Sequence, residues 1–244
     1  DTGYSQIGVL HNMAMLKADP SSIEAIVLSH SHMDHIGGLF PILEKIGKRI
    51  QLVAHPDVFL YPRYLSLETG DRLLFPEFKR EEVEQKAELV ESKGPVCIAD
   101  DMALVTGEVE RTTAFETGLP NALVERGGET EKDITTDDQA ILVNLKGKGL
   151  VVIGGCSHAG IINTIRYGQK ITNISKTYAV IGGFHLAGAF YENIIDDTIG
   201  EMKKISPEIM VPMHCTGWNA IKRFSEEFPS SFVLNSVGAK FLLT

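Results

Sequence analysis

Four apolar segments of this chain each run into a histidine, and this repeated pattern constrains the fold more than any other feature of the sequence. The segments span residues 26–30, 151–158, 179–185 and 210–214. Each has the short, apolar pattern of a buried strand. In α/β proteins the carboxyl ends of the strands line one edge of a sheet, and ligands bind there. Four histidines that reach this edge independently indicate a functional site rather than four separate core residues.

The order of the other predicted elements indicates an α/β protein. Strands are predicted at residues 23–28, 50–54, 140–145, 150–153, 178–181 and 208–213, and helices at residues 12–17, 37–48, 161–170, 193–205 and 218–228. The turn at residues 146–149 is typical of a hairpin between two of these strands. No linker rich in proline, glycine or serine divides the chain, so residues 1–244 are interpreted as a single domain.

Residues 56–95 have the least regular pattern. Aromatic residues alternate there with charged ones, and the charged run at residues 80–91 predicts a solvent-exposed helix. The aromatic side chains are compatible with a lid over a pocket and equally with a loop packed on the core, and the sequence leaves both interpretations open.

Composition narrows the classes of function. The 244 residues contain 23 Lys and Arg against 32 Asp and Glu, a net charge of −9. Such an acidic surface repels phosphate backbones, which argues against nucleic acid and anionic membranes as partners. No apolar run approaches the roughly 20 residues of a membrane span. Cys97, Cys156 and Cys215 form no CxxC pair and cannot all be paired, which favours a reducing, cytoplasmic location.

Candidate ligands are densest in residues 30–35, with the sequence HSHMDH. In an extended chain, residues two apart project to the same side, so His30 and His32 can bind one ion together. Asp34 and His35 are neighbours that diverge, which suits a second ion a few ångströms away. Imidazole and carboxylate groups are ligands of Zn²⁺ and similar divalent metals, including Mn²⁺ and Fe²⁺. The segment therefore predicts two divalent ions, with Zn²⁺ favoured.

The segment resembles the His-x-His-x-Asp-His signature of the metallo-β-lactamase superfamily. Five segments resemble one branch of it: SHSHMDHIGGL at 29–39, DDQA at 137–140, GCSHAGIINT at 155–164, GGFHL at 182–186 and HCTG at 214–217. Members of that branch are similar to 7,8-dihydropterin-6-methyl-4-(β-D-ribofuranosyl)-aminobenzene 5′-phosphate synthase, an enzyme linked to methanopterin biosynthesis. The resemblance implies an αββα sandwich, in which two mixed β-sheets pack face to face with helices outside. Family members carry further strands before the turn at residues 1–3, so these N-terminal strands are expected to be missing.

The resemblance also implies a ligand set. The first-metal ligands would be His30, His32 and His158, and the second-metal ligands would be Asp34, His35 and His214. Cys156 stands where much of the superfamily has a bridging aspartate, so it is expected to be a thiolate ligand or, more in keeping with a buried cysteine, a space-filling residue. Cys215 is interpreted in the same way. His185 is either a further ligand or a proton donor beside the metals, and the second role is preferred.

Three acidic residues and two helix ends are further candidates. Asp137 and Asp138, together with Asp133, are expected either to orient metal-bound histidines, which usually donate their second N–H to a carboxylate or carbonyl, or to form a solvated turn. The helices that follow Gly160 and Gly217 begin near the same edge, where free N–H groups could bind an anionic substrate. Alternatively, these glycines only permit tight turns.

These observations predict an enzyme that uses a metal-bound hydroxide, held between two ions, on a small anionic or phosphorylated substrate. His185 would protonate a leaving group and Asp34 would act within the catalytic centre. The reaction is expected to be a hydrolysis or the synthase reaction named above. A metallo-nuclease or phosphodiesterase is the alternative, which the acidic charge disfavours, and a non-catalytic metal-binding or redox protein is another. The oligomeric state is not predicted.

Overall fold

The computed structural model describes residues 1–243. The strands are β1 (Ala25–Val27), β2 (Gln51–Ala54), β3 (Arg63–Ser66), β4 (Arg72–Leu74), β5 (Glu88–Glu91), β6 (Val96–Ile98), β7 (Ala103–Val105), β8 (Ala122–Arg126), β9 (Glu129–Lys132), β10 (Ala140–Leu145), β11 (Gly149–Gly154), β12 (Thr177–Gly183) and β13 (Ile209–Met213). The α-helices are α1 (Gly8–Met15), α2 (Met33–Ile36), α3 (Leu39–Ile46), α4 (Arg80–Lys86), α5 (Ile161–Thr172), α6 (Ala189–Glu192), α7 (Ile195–Ile205) and α8 (Trp218–Glu227).

The largest sheet is mixed and has six strands, in the order β13-β12-β11-β10-β7-β6. β11, β12 and β13 are parallel, so their carboxyl ends lie at one edge. β10 and β11 form the antiparallel hairpin that the turn at residues 146–149 predicts. Alternate residues of β11, Leu150 and Val152, pack with Ile165 of α5 and Phe224 of α8 in the largest core cluster. This alternation explains why one face of the sheet carries the helices.

A second sheet has three parallel strands, in the order β1-β2-β5. Helix α3 packs on it through an apolar stripe that includes Leu39, Ile42 and Ile46, spaced three and four residues apart. Leu52 of β2 belongs to the same cluster. Because β1 leads directly into residues 28–35, this packing determines where the histidine-rich segment begins.

A four-stranded antiparallel sheet, in the order β4-β3-β8-β9, completes the described part of the chain. Its strands β3 and β8 pair through Tyr64 and Leu123. Arg63, the first residue of β3, is almost completely buried and reaches the histidine-rich segment. This sheet therefore contributes to the same edge as the other two.

The six strands expected from the sequence are present, and the helices at 161–170, 193–205 and 218–228 agree with α5, α7 and α8 within two residues. The expectation of one helix at 80–91 is wrong, because α4 ends at Lys86 and β5 pairs in parallel with β2. The helix expected at 37–48 is present as α3, Leu39–Ile46, which begins directly after the two glycines. Gly37 and Gly38 separate α2 from α3, where a Cβ on Gly37 would lie 2.1 Å from the carbonyl oxygen of Tyr4. The glycines thus admit the N-terminal segment, whose Thr2 donates its backbone N–H to His35.

Of the two roles expected for the aromatic residues between positions 56 and 95, packing on the core is present, and one aromatic side chain contacts a histidine of the site. Phe59 and Phe78 stack with ring centroids 5.2 Å apart and pack on the core of the three-stranded sheet. Phe75 instead lies edge-on to His32, at 4.9 Å between centroids. One part of the segment is therefore core and another borders the histidines.

The architecture has mixed sheets with helices packed against them, as expected for an α/β protein of this type. In the described residues 1–243, no helix is both long enough and apolar enough to span a bilayer.

We expect Ile165→Ala to lower the free energy of unfolding by about 2–5 kcal/mol, because it removes a fully buried side chain and leaves a cavity under the six-stranded sheet. Urea denaturation followed by circular dichroism measures this loss. The matched control is Ile7→Ala, at a side chain that is 79% exposed, and it should change the stability by less than about 0.5 kcal/mol. Equal effects of the two variants would contradict the assigned core.

Candidate metal centre

The first ligand group consists of three imidazoles from two distant parts of the chain. The extended segment after β1 places His30 and His32 beside His158, which follows β11. Their candidate ligand atoms lie within 4.8 Å of one another, and the Nε2 atoms of His30 and His158 are 3.2 Å apart. Two nitrogens at about 2.0–2.1 Å from a tetrahedral zinc ion stand about 3.3 Å apart. The spacing therefore fits ligands of one ion.

Burial keeps these rings in the neutral form that binds metals. Burial and the neighbouring histidines hold the pKa of His30 and of His158 well below the usual range. Burial also lowers the pKa of His32 to about 4, and its Nε2 atom has no hydrogen-bond partner. A buried polar atom without a partner is unfavourable. A cation that accepts these lone pairs would remove that cost.

The second group brings together Asp34, His35, Cys156 and His214. His35 Nε2 lies 3.1 Å from Cys156 Sγ and 3.2 Å from His214 Nε2. Asp34 Oδ2 lies 3.2 Å from His214 Nε2. Although burial raises the pKa of Asp34, hydrogen bonds from His214 and His35 hold it well below its usual range. The four side chains form a compact set of nitrogen, oxygen and sulfur donors beside the first group.

Cys156 is buried, with its thiol directed into this set rather than into the apolar core. The position of Sγ is compatible with the ligand role expected for it, and the burial of the side chain is compatible with the space-filling role. Cys215 lies behind it and donates its thiol to the carbonyl oxygen of Cys156 at 3.5 Å. Cys215 therefore contacts the backbone of a candidate ligand and is not a member of the second group.

His185 follows β12 and lies between the metal groups and Tyr191 of α6. Its ring centroid is 4.1 Å from that of His158 and 4.6 Å from that of Tyr191. The candidate ligand atoms of Cys156, His158 and His185 are within 4.8 Å of one another. The Nδ1 atom of His185 is buried without a partner. The position is compatible with both roles expected for this residue, a ligand and a proton donor.

Three non-glycine residues at this edge have left-handed backbone conformations: Ser157 (φ 58°), His185 (φ 46°) and His214 (φ 53°). Such conformations are unfavourable for residues with a Cβ and cluster at functional sites. Each follows a parallel strand of the six-stranded sheet by a few residues. The turns after the strands therefore direct these side chains towards the common edge.

Asp1 and Ser29 orient the imidazoles, and the sequence analysis did not single them out for this role. Asp1 Oδ2 accepts a hydrogen bond from Ser29 Oγ and lies 2.8 Å from His35 Nδ1. Ser29 Oγ is also 2.9 Å from His30 Nδ1. With Nδ1 occupied in this way, the Nε2 atoms of His30 and His35 face the ligand groups. The sequence signals for this role were the serine directly before the first histidine and the acidic residue of the opening turn.

The buried pair of Arg63 and Asp137 supports the loop between His30 and His32. Asp137 accepts two hydrogen bonds from Arg63, at 2.6 and 2.9 Å, and one from the backbone N–H of Ser31 at 2.9 Å. Burial would raise the pKa of Asp137, but the Arg63 guanidinium outweighs it and lowers that pKa to about 2. Arg63 was not among the residues expected at the site, because nothing in its local sequence distinguishes it.

The acidic residues at positions 133–138 act on backbone groups and on Arg63. Asp133 also pairs with Arg63, and Asp138 accepts the backbone N–H of Ala159 at 2.9 Å. The hydrogen bonds of Asp137 and Asp138 thus run to the chain segments that carry His30, His32 and His158, rather than to the imidazole rings. Of the two alternatives, the solvated turn does not describe them, since both are buried.

The amino end of α5 is closed by an internal carboxylate. Glu116 accepts hydrogen bonds from the backbone N–H groups of Ile162 and Asn163, each at 2.9 Å. Gly160 leaves room for it, since a Cβ there would lie 2.1 Å from Glu116 Cδ. The expectation that this helix end binds an anionic substrate is therefore wrong, because Glu116 already satisfies the N–H groups. The end of α8 after Gly217 has no side-chain cap.

The chain is similar in sequence and in structure to proteins of one superfamily. The family model of the metallo-β-lactamase superfamily matches residues 1–168. A 7,8-dihydropterin-6-methyl-4-(β-D-ribofuranosyl)-aminobenzene-5′-phosphate synthase of Methanocaldococcus jannaschii is 35% identical over 241 residues, which covers 95% of this chain and 79% of the relative. An uncharacterized protein of the same organism is 33% identical over 239 residues, with 98% and 85% covered. The solved structure of Tm1679, a metal-dependent hydrolase of the β-lactamase superfamily, has a TM-score of 0.82 and 27% identity, covering 100% of this chain and 88% of its own.

We expect Arg63→Gln to lower the free energy of unfolding by roughly 3–5 kcal/mol at pH 7, because it leaves the fully buried Asp137 without its cation. The control is Arg223→Gln, which breaks a pair with the exposed Asp196 and should cost at most about 1 kcal/mol.

The loss of stability in Arg63→Gln should depend on pH. A carboxylate whose pKa is lowered to about 2 in the folded protein stabilises the fold above its unfolded pKa of about 3.9, and this stabilisation disappears as the pH falls towards 2. The gap in stability between the wild-type protein and Arg63→Gln should therefore narrow between about pH 4 and pH 2 in urea titrations. A gap that is constant over this range would contradict the pairing.

Proposed function

The chain belongs to the metallo-β-lactamase superfamily, and on this basis we propose that it is a metal-dependent enzyme with two adjacent divalent ions, acting on a small anionic substrate. The observation that carries the proposal is the convergence of the two donor groups, His30, His32 and His158 in one and Asp34, His35, Cys156 and His214 in the other.

The donor chemistry fits such ions. The first group offers three neutral imidazoles, a common ligand set of catalytic zinc sites that keep a position open. The second adds a carboxylate and a thiol to two imidazoles, and nitrogen and sulfur donors together favour Zn²⁺. Mn²⁺ or Fe²⁺ would also be accepted by the carboxylate of Asp34. The unpartnered Nε2 of His32 supports occupancy of the first group in the working protein.

Bound ions of this kind supply a hydroxide at neutral pH and stabilise negative charge that develops during the reaction. The chain's own residues would orient the metal ligands and supply a proton to the leaving group. Asp1 and Ser29 hold His35 and His30 in the orientation that turns Nε2 towards the ligand groups. His185, at the border of both groups, is placed to hold a proton for the leaving group. Asp34 contributes a carboxylate within reach of His214.

The substrate class rests on the relatives and on charge. One relative is named as a synthase whose product carries a phosphate, and one similar structure is described as a hydrolase, so both reactions remain candidates within one proposal. The net charge of −9 favours a small anion over a nucleic acid, because a small anion can be bound by a local pair of cations against an unfavourable overall field. The three free cysteines support a reducing compartment, such as the cytoplasm, as the location.

We expect His32→Ala to lose about one of two bound ions per chain, since the first group has only three protein ligands. Inductively coupled plasma mass spectrometry of dialysed, zinc-loaded protein measures the content. The control is His11→Ala, on the exposed helix α1, which should retain both ions. Full metal content in His32→Ala would overturn the ligand assignment.

We expect removal of the ions with a chelator to abolish turnover, and added Zn²⁺ or Mn²⁺ to restore it, in a panel of phosphomonoesters, phosphodiesters and lactones. His185→Gln should retain the ions but lose turnover if the residue is a proton donor, and it should lose metal if it is a ligand. Turnover that persists at zero metal content would contradict the proposed enzyme class.

A further inference from the structure

The metal centre is open to solvent on one side. His30 and His158 are buried, so the first donor group is closed on their side. His32 is half-buried, and the side chains of Asp34 and His214 are 41% and 40% exposed. A substrate would therefore approach the proposed ions past these three residues, and the side chains that border them determine which substrates fit.

Phe75 borders this opening at His32. The two rings meet edge to face, with 4.9 Å between their centroids and 66° between their planes. Phe75 directly follows β4 and donates its backbone N–H to the carbonyl oxygen of Arg63, at the start of β3. Arg63 in turn donates a hydrogen bond to Ser31, between the first two histidines. The base of the β3–β4 hairpin is thus fixed beside the metal centre and forms one wall of the opening.

The register of this hairpin places further apolar side chains on the face that carries Phe75. Leu65 pairs with Leu73, and residues two apart on a strand project to the same side. Leu65 and Leu73 therefore share a face with Arg63 and Phe75 and lie nearer the hairpin turn, about 7 Å along the strands. Leu65 is half-buried, and Leu73 is 48% exposed. Phe75, Leu65 and Leu73 form an apolar strip, the hairpin strip, that begins at the metal centre.

The opposite face of the hairpin does not lead to the metal centre. Tyr64 pairs there with Leu74, and the guanidinium of Arg72 lies over the Tyr64 ring, 4.4 Å from its centroid. Leu74 is 50% exposed, almost the same as its neighbour Leu73. The two leucines are therefore a matched pair, of which only Leu73 belongs to the hairpin strip.

We propose that the hairpin strip binds an apolar group of the substrate, of about the size of a six-membered ring, while the anionic group of the same molecule binds the ions. This inference rests on the proposed function and specifies its substrate class. Because Phe75 contacts the candidate ligand His32, a group attached to an anion on the ions lies within reach of the Phe75 ring. The strip then extends far enough to cover one ring, and covering apolar area in this way increases affinity.

Isothermal titration calorimetry of the zinc-loaded protein with phenylphosphonate and with methylphosphonate tests the proposal. The two probes share their anionic group and differ only in the apolar group. We expect phenylphosphonate to bind at least about tenfold more tightly, because its ring covers apolar surface that a methyl group does not reach. Zinc content, measured on the same samples after dialysis, identifies any heat that comes from extraction of zinc by the probe.

Three variants locate the apolar contact. Phe75→Ala should reduce the preference for phenylphosphonate to less than about threefold, while zinc content and the affinity for methylphosphonate stay unchanged. Leu73→Ser should reduce the preference at least about twofold, whereas Leu74→Ser, on the opposite face, should leave it the same within error. If Phe75→Ala fails to fold or loses zinc, the two probes on the wild-type protein and the leucine pair still decide.

Equal binding of the two probes to the wild-type protein would overturn this inference and leave the proposed enzyme class intact. Equal effects of Leu73→Ser and Leu74→Ser would also overturn it. A dimer in sedimentation velocity that Leu73→Ser dissociates would do the same, because the strip would then bind a second copy of the chain. If neither phosphonate binds to protein that holds both ions, the proposed anionic substrate is wrong, and this inference fails with it.

Discussion

Buried, neutral imidazoles that face one another are the constraint on which the rest of this structure depends. His30 and His158 approach to 3.2 Å through nitrogens that cannot both carry a proton towards each other, and burial removes the charged form of each ring. Beside this pair, the buried Nε2 atom of His32 has no hydrogen-bond partner, which is unfavourable unless a cation accepts its lone pair. The fold therefore has to supply rigid support for an arrangement that the side chains would not adopt alone. Parallel strands that end at one edge provide the first part of that support.

The second part consists of hydrogen bonds around the ligands. Asp1 and Ser29 act on the rings directly, whereas Asp137 and Asp138 act on the backbone of the segments that carry them. A carboxylate that binds the backbone fixes the path of the chain, and with it the position of the ligands that this segment carries. Such support depends less on the rotamer of each ligand side chain than a contact with the ring does. Arg63 makes this possible for Asp137, since its guanidinium keeps a fully buried carboxylate ionised. The four-stranded sheet thus contributes to the centre through Arg63 of β3.

Much of the ligand set could be predicted from the sequence, because strand-then-histidine segments and the run HSHMDH are local patterns with a direct geometric meaning. The residues that support these ligands could not be predicted in this way. Arg63 begins a short strand without strong periodicity, and its role depends on a contact with a residue 74 positions away. Glu116 lies in a loop without a recognisable sequence pattern and accepts the N–H groups at the amino end of α5. The sequence therefore did not show that these N–H groups are unavailable to an anionic substrate. The strand at Glu88–Glu91 carries charges at both ends, which obscured its parallel pairing with β2.

The separation of His30 and His158 along the chain has a consequence for assembly. The two nitrogens that would share an ion are 128 residues apart in sequence and come from different sheets. An unfolded chain would hold them together only at a large entropic cost, so a strong chelate is absent until both sheets have docked. Loading with metal would then be a late event, and the extent of loading would report whether the sheets that carry the two histidines have reached their native arrangement.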